Sequence, residues 1–145
     1  MKKFLTIFTC VLFFNIIYSN SLEFTNTEIN ANSTGSIQLL LDNPVDQIAG
    51  LQFQIVDYPN QGFFANVVAT DRLDGFMVEA NEQDDGSLIV LAFSLTGDLL
   101  DVGSGSILTL EYQSTSQYSS VISISLLESA SYLGNSLGEA LEFTT

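Results

Sequence analysis

The side chains that could do chemistry in this sequence are of one kind. Seventeen Asp and Glu stand against three basic residues, and there is no His. Lys2, Lys3 and the only cysteine, Cys10, lie near the start, which leaves Arg72 as the one basic side chain of the remainder. A serine nucleophile would lack a histidine base, and zinc would lack its usual nitrogen and sulfur ligands. Carboxylates remain. A pair of them can hydrolyse a glycosidic bond, and several can hold calcium, a hard cation that takes carboxylate and carbonyl oxygens. Asp42, Asp46, Asp71, Asp74, Asp84, Asp85, Asp98 and Asp101 all fall in stretches that read as turns. Turns favour Asp for backbone reasons alone. The expectation is therefore a protein that is not an enzyme, with no catalytic residues. Asn81-Glu82-Gln83-Asp84-Asp85-Gly86 has the outline of a calcium loop, but the twelfth position from Asn81 is Ala92, where such a loop needs Glu. The stretch reads as a solvated hairpin tip. No metal ligand is assigned, and calcium is the one cofactor left open.

Binding without catalysis needs other groups. Sugar recognition on a flat sheet face normally uses exposed aromatic platforms, and the sequence has no Trp. Tyr58, Tyr112, Tyr118 and Tyr132 are the candidates. Tyr118, set among Ser and Gln, is the one expected at the surface; structural roles are the commoner use of Tyr in a sandwich. Gln52 and Gln54 can form a polar recognition strip or ordinary solvation. Asn32-Ser33-Thr34 is a glycosylation sequon.

These residues need elements to hold them. In Ile48-Ala-Gly-Leu-Gln-Phe-Gln-Ile-Val-Asp57, Leu51, Phe53 and Ile55 alternate with Gln52, Gln54 and Val56. A two-residue period places the two sets on opposite faces of a strand. The first set suits a core and the second a solvated or partner-facing surface. Similar runs recur between turn signals. They are Leu22 to Asn26, Ser36 to Leu41, Phe63 to Ala69, Phe76 to Ala80, Ser87 to Ser94, Ser106 to Tyr112, Val121 to Leu127 and Ala140 to Thr144. Asp42 to Asp46 contains Pro44, and Asp85-Gly86 is the strongest turn dipeptide. Thr70 to Gly75 can hold a short helical turn. Leu88 to Phe93 is apolar on both faces, the pattern of a strand covered on both sides. Gly134 to Gly138 reads as a turn. Nine short strands without a convincing helix argue an all-β, antiparallel two-sheet sandwich.

The chain opens Met1-Lys2-Lys3, continues with the apolar run Phe4 to Ile17, and reaches small residues at Ser19 and Ser21. This is the order of a secretory signal peptide over residues 1–21, cut after Ser21. The run is shorter than the ~18–20 residues a spanning helix needs, so no membrane attachment is expected after cleavage. The remaining 22–145 make one domain, large enough to bury about two thirds of its unfolded surface. It has no Cys, so burial must hold it together. Its acidity repels nucleic acid and anionic membranes.

The order of features resembles a cohesin domain. The residues that carry the likeness are Gly35-Ser-Ile-Gln-Leu-Leu-Leu-Asp-Asn-Pro44 and Ile48-Ala-Gly-Leu-Gln-Phe-Gln-Ile55, then the Asp84-Asp85-Gly86 hairpin, then Val102-Gly-Ser-Gly-Ser-Ile-Leu-Thr-Leu-Glu-Tyr112. The resemblance implies a nine-stranded jelly roll, related in architecture to carbohydrate-binding modules. It also implies a secreted or cell-surface, non-catalytic module that binds dockerin modules of polysaccharide-degrading enzymes. In the family an Asn-x-Asp just ahead of the central Phe helps hold the dockerin. Aligned on Phe53, those positions are Gly50 and Gln52, so neither residue type is retained. The expected partner surface is therefore Gly50, Gln52 and Gln54, facing a dockerin-like module. Direct polysaccharide binding, with Tyr118 as the platform, and a structural role in a surface assembly are the alternatives.

Overall fold

A computed structural model describes residues 19–115 and 121–145. The strands are β1 (Asn20–Thr25), β2 (Glu28–Ile29), β3 (Thr34–Asn43), β4 (Gly50–Tyr58), β5 (Gly62–Ala69), β6 (Met77–Glu82), β7 (Leu88–Phe93), β8 (Gly103–Ser114), β9 (Ile122–Leu126), β10 (Tyr132–Gly134), β11 (Ala140–Leu141) and β12 (Phe143–Thr144). Nine of these have three or more residues, in line with the expected count; three are two-residue pairings at the sheet margins. The only helical pieces among the described residues are 3-10 turns at Asp71–Leu73 and Glu128–Ala130.

One sheet runs β12-β1-β3-β8-β5 and the other β11-β10-β4-β7-β6, with β9 also beside β4 and β2 beside β9. All pairings are antiparallel except β1 with β12, which is parallel. The last strand differs from expectation. Ala140 to Thr144 is not one strand: β11 joins one sheet and β12 the other, so the segment crosses from layer to layer at Glu142. β1 also starts earlier than Leu22, at Asn20, so the expected cut after Ser21 falls inside it.

Alternation builds the core. Leu51, Phe53 and Ile55 of β4 are at most 1 % exposed. They meet Ile37, Leu39 and Leu41 of β3 and Leu108, Leu110 and Tyr112 of β8 in one buried cluster. Full burial of such side chains contributes roughly 1.5–3 kcal/mol each. A register shift opposite Leu39 and Leu40 leaves Ile107 as the extra residue of β8, and Ile107 and Leu108 are both buried despite being neighbours.

Two polar knots stand at the two ends of β8. At its start, Arg72 reaches from the 3-10 turn across the β3–β8 ladder. Its Nη1 donates to the carbonyls of Leu41 and Gly105, and its Nη2 to Gly103 O at 2.6 Å and to Asn43 Oδ1. Asn43, fully buried, donates in turn to Asp46 O at 2.7 Å and Asp101 O at 3.1 Å. At the far end, Tyr112 Oη donates to Asp57 Oδ2, which also accepts from Gln61 N at 3.2 Å. Phe64 packs edge-on against the Tyr112 ring, with centroids 5.1 Å apart. Gly62 makes room for this: a Cβ there would stand 2.3 Å from Tyr112 Oη.

Arg72→Met should destabilise by about 2–3 kcal/mol, because it takes a donor from part-buried carbonyls and from the Oδ1 of the buried Asn43. Arg72→Lys should recover less than half of that, since one ammonium cannot span the same acceptors. Urea midpoints of the three proteins check both. Burial, and then the bond to and charge of Asp57, push the Tyr112 phenol above its ordinary range. Above about pH 10 the unfolded chain releases this proton while the folded chain keeps it, so stability falls as pH rises. Tyr112→Phe should cost about 1–3 kcal/mol at pH 7 yet flatten the alkaline decline, read from denaturation curves between neutral pH and pH 11.

Candidate protein-docking face

The expected partner residues sit where the alternation of β4 puts them. Gly50, Gln52 and Gln54 point away from the core, on the outer face of the β10-β4-β7-β6 sheet. Cross-strand register arranges this face in rows. One row runs Gly134, Gly50, Phe93, Met77; the next runs Tyr132, Gln52, Leu91, Glu79; a third holds Gln54, Ile89 and Asn81. Side chains directly opposite across a ladder share a face, so each row is a line of neighbours.

β7 corrects the sequence expectation. Its apolar outer residues are not covered by another layer of the described chain. Leu91 is 40 % exposed, and Met77 and Tyr132 beside it are 42 % and 39 % exposed. Leu88, Val90 and Ala92 fill the core, while Ile89, Leu91 and Phe93 give the outer face its apolar character. A strand apolar on both faces is here a strand with one face in the core and one on the surface. Tyr132, Leu91, Phe93 and Met77 are the site residues that sequence reasoning did not assign to this face. The double-sided run of β7 was the signal for Leu91 and Phe93; Tyr132 and Met77, on β10 and β6, had none.

Local packing shapes the face into a shallow trough lined by Gly50, Leu51, Gln52, Leu91, Ala92, Phe93 and Tyr132. The Tyr132 ring lies across Gly134, where a Cβ would come within 2.7 Å of the ring. Tyr132 Oη donates to Gly138 O at 3.2 Å, which fixes the ring on the sheet. At Gly50 a Cβ would meet only Ala92 O, at 3.7 Å. The floor of the trough is open above Gly50, with no side chain from the described residues filling it.

The two glutamines do not form a free polar strip. Gln54 Nε2 donates to Ser87 Oγ at 3.0 Å, and Gln52 Nε2 to Ala130 O at 3.3 Å. Both amides stitch the sheet to its loops, although Gln52 remains exposed. The tyrosines divide: Tyr112 is buried, Tyr58 stands 79 % exposed at the end of β4, and Tyr118 lies outside the described residues.

The turn carboxylates mostly serve their own turns. Asp85 Oδ1 accepts from Ser87 N at 2.9 Å and Ser87 Oγ at 2.7 Å, and these bonds hold its carboxyl below the usual range. Asp98 Oδ2 accepts from Ser94 Oγ at 3.0 Å and from Thr96 Oγ1, with the same effect. Among the described residues no group of three or more carboxylates is placed to hold a metal ion. Nor is any helix among them long and apolar enough to cross a membrane.

No family model and no curated protein matches the sequence. Solved structures do match its fold. The sixth cohesin of scaffoldin B from Acetivibrio cellulolyticus, in complex with a dockerin, is 19 % identical with a TM-score of 0.69, covering 88 % of this chain and 95 % of that one. A type I cohesin in complex with a dockerin from Clostridium thermocellum is 14 % identical with a TM-score of 0.69, covering 88 % of this chain and 94 % of the other. A non-cellulosomal cohesin from the archaeon Archaeoglobus fulgidus is 12 % identical with a TM-score of 0.61, covering 88 % and 86 %. The two-sheet order, the nine principal strands and these likenesses over nearly the whole described chain agree with the resemblance carried by the sequence: this chain has the cohesin fold.

Proposed function

We propose that the chain is a secreted, non-catalytic binding module that presents the outer face of the β10-β4-β7-β6 sheet to a dockerin-like protein module in extracellular polysaccharide handling. The observation that carries this reading is the trough around Gly50. It combines exposed Leu91 and Tyr132 with an open glycine floor, and exposed Met77 stands beside Phe93 at its margin. Docking surfaces have this composition: an apolar centre that is fully desolvated on binding, with polar groups around it. The neighbours of like fold that are described in complex with dockerins support the choice of partner.

In the family resemblance, the Asn-x-Asp positions carry polar contacts. Here Gly50 and Gln52 stand at those positions, and the Gln52 amide is held by Ala130. The module therefore engages its partner mainly through apolar contact, a different chemistry on the same face. Direct sugar binding calls for a row of exposed rings. On this face the rows interleave the rings of Tyr132 and Phe93 with Leu91, Met77 and glutamines, which supports a protein partner instead. Secretion rests on the leader-like order of residues 1–21, of which 1–18 lie outside the described residues.

The test uses variants that leave the core alone. Gly50→Leu puts a side chain into the trough, its Cβ at an ordinary 3.7 Å from Ala92 O, and Leu91→Glu places a charge at its centre. Against a panel of dockerin modules measured by titration calorimetry, the natural protein should bind at least one. Each variant should then lose at least tenfold in affinity, about 1.4 kcal/mol or more. Melting curves should move little, since both positions face outward. Binding unchanged in both variants, or no dockerin bound by the natural protein, overturns the proposal.

A further inference from the structure

The described chain is already inside the fold at Asn20. This residue is 4 % exposed, and its Nδ2 donates to Glu142 O at 3.0 Å. Asn20 and Ser21 pair in parallel with Phe143 and Thr144, and those two pairs are the whole register that holds β12 to its sheet. Ser21 also pairs with Asp42 of β3. One residue earlier the situation changes. Ser19 is exposed, lies outside the ladder, and among the described residues its Oγ bonds only the adjoining carbonyl of Asn20, at 3.2 Å.

The leader-like start of the sequence offers two small residues at which processing can end, Ser19 and Ser21. A cut after Ser21 removes both partners of β12 and the amide that holds Glu142. It also creates an ammonium on Leu22, whose side chain is 2 % exposed. A charge produced beside a buried apolar side chain is costly unless it is solvated or paired. A cut after Ser19 leaves β1 entire and places the new ammonium where the chain emerges from the sheet.

We propose that the mature module begins at Asn20. In this step, which rests on the leader reading given above, the host's leader peptidase hydrolyses the Ser19–Asn20 peptide bond. Water supplies the hydroxyl that leaves Ser19 with a carboxylate, and Asn20 leaves as an amine that takes up a proton. The two residues that simple small-x-small spacing would assign to the leader are, on this account, the strand that fastens the C-terminal segment. Asn20 and Ser21 thus close the β1–β12 margin of the sandwich, and with it the crossing of residues 140–144 between the sheets.

The full chain, expressed with its own first 19 residues in a secreting bacterial host, gives a direct reading by intact mass and N-terminal sequencing. The expected product starts at Asn20. A product starting at Leu22, or at any other internal residue, overturns the boundary while leaving the leader standing. A product that keeps Met1 overturns the leader reading and the boundary with it. A second measurement compares the same chain with one lacking Asn20 and Ser21, joined Ser19 to Leu22. The deletion should lower the melting midpoint by at least about 3 °C or prevent accumulation of folded protein. An unchanged midpoint overturns the role given to these two residues.

Discussion

A sandwich of two sheets has only two inward faces, and the rest of this structure depends on how they are filled. Phe53, with Leu51 and Ile55 beside it, occupies the interior between β4 and the β3–β8 pair with no solvent access. That burial fixes the register of β4, because a slip by one residue would exchange its apolar set for Gln52 and Gln54. Once β4 is fixed, the registers of β7 and β10 against it are fixed too, and so is every row on the outer face. The candidate docking face is a consequence of the core, read on the other side of the same strand. Apolar residues of β7 that the core cannot take, Leu91 and Phe93, have nowhere else to go.

The polar knots do a different job from the core. Hydrophobic burial does not care about direction, and two twisted sheets can slide over one another at modest cost. Arg72 ties the 3-10 turn to β3 and the start of β8 within one sheet, and so fixes the end of that ladder rather than the offset of the two layers. Tyr112 and Asp57 remove the freedom to slide, with a bond between β8 of one sheet and β4 of the opposite one. A buried carboxylate is tolerable there only because it accepts from a phenol and a backbone amide. The C-terminal segment closes the β1 margin in a similar way, by giving one short pairing to each layer.

How much of this could be read from the sequence varies with the range of the interaction. The strand at Phe53, the turn at Asp85-Gly86 and the all-β class were legible because they are set by neighbours two residues apart. β7 was misread from the same kind of signal: alternation shows which faces are apolar but not whether a second layer exists to cover them. β10 was not legible at all. Tyr132-Leu133-Gly134 is too short to show a period, and it is a strand because it pairs with Gly50 to Gln52. The roles of Arg72 and Tyr112 were hidden for the same reason, since their partners lie 31 and 55 residues away for Leu41 and Asp57. Gln52 and Gln54 were placed on the correct face, but their amides are taken by Ala130 and Ser87, residues that only the tertiary fold brings near.

The charge distribution bears on what the face can recognise. After residue 21 the sequence holds one side-chain cation, Arg72, and it is committed to holding the β3–β8 end together. Any ion pair across an interface with this module must therefore take its cation from the partner. On the docking face itself the carboxylate in the rows is Glu79, opposite Leu91. An acidic partner would meet repulsion from the whole surface, whereas a basic one would be drawn in at long range. In the proposed role the apolar trough would supply the close contact, because the charges around it remain solvated and contribute more to encounter rate than to affinity. In the proposed docking role, this balance would discriminate by exclusion, turning away acidic chains before contact and favouring those whose apolar surface fits over Gly50.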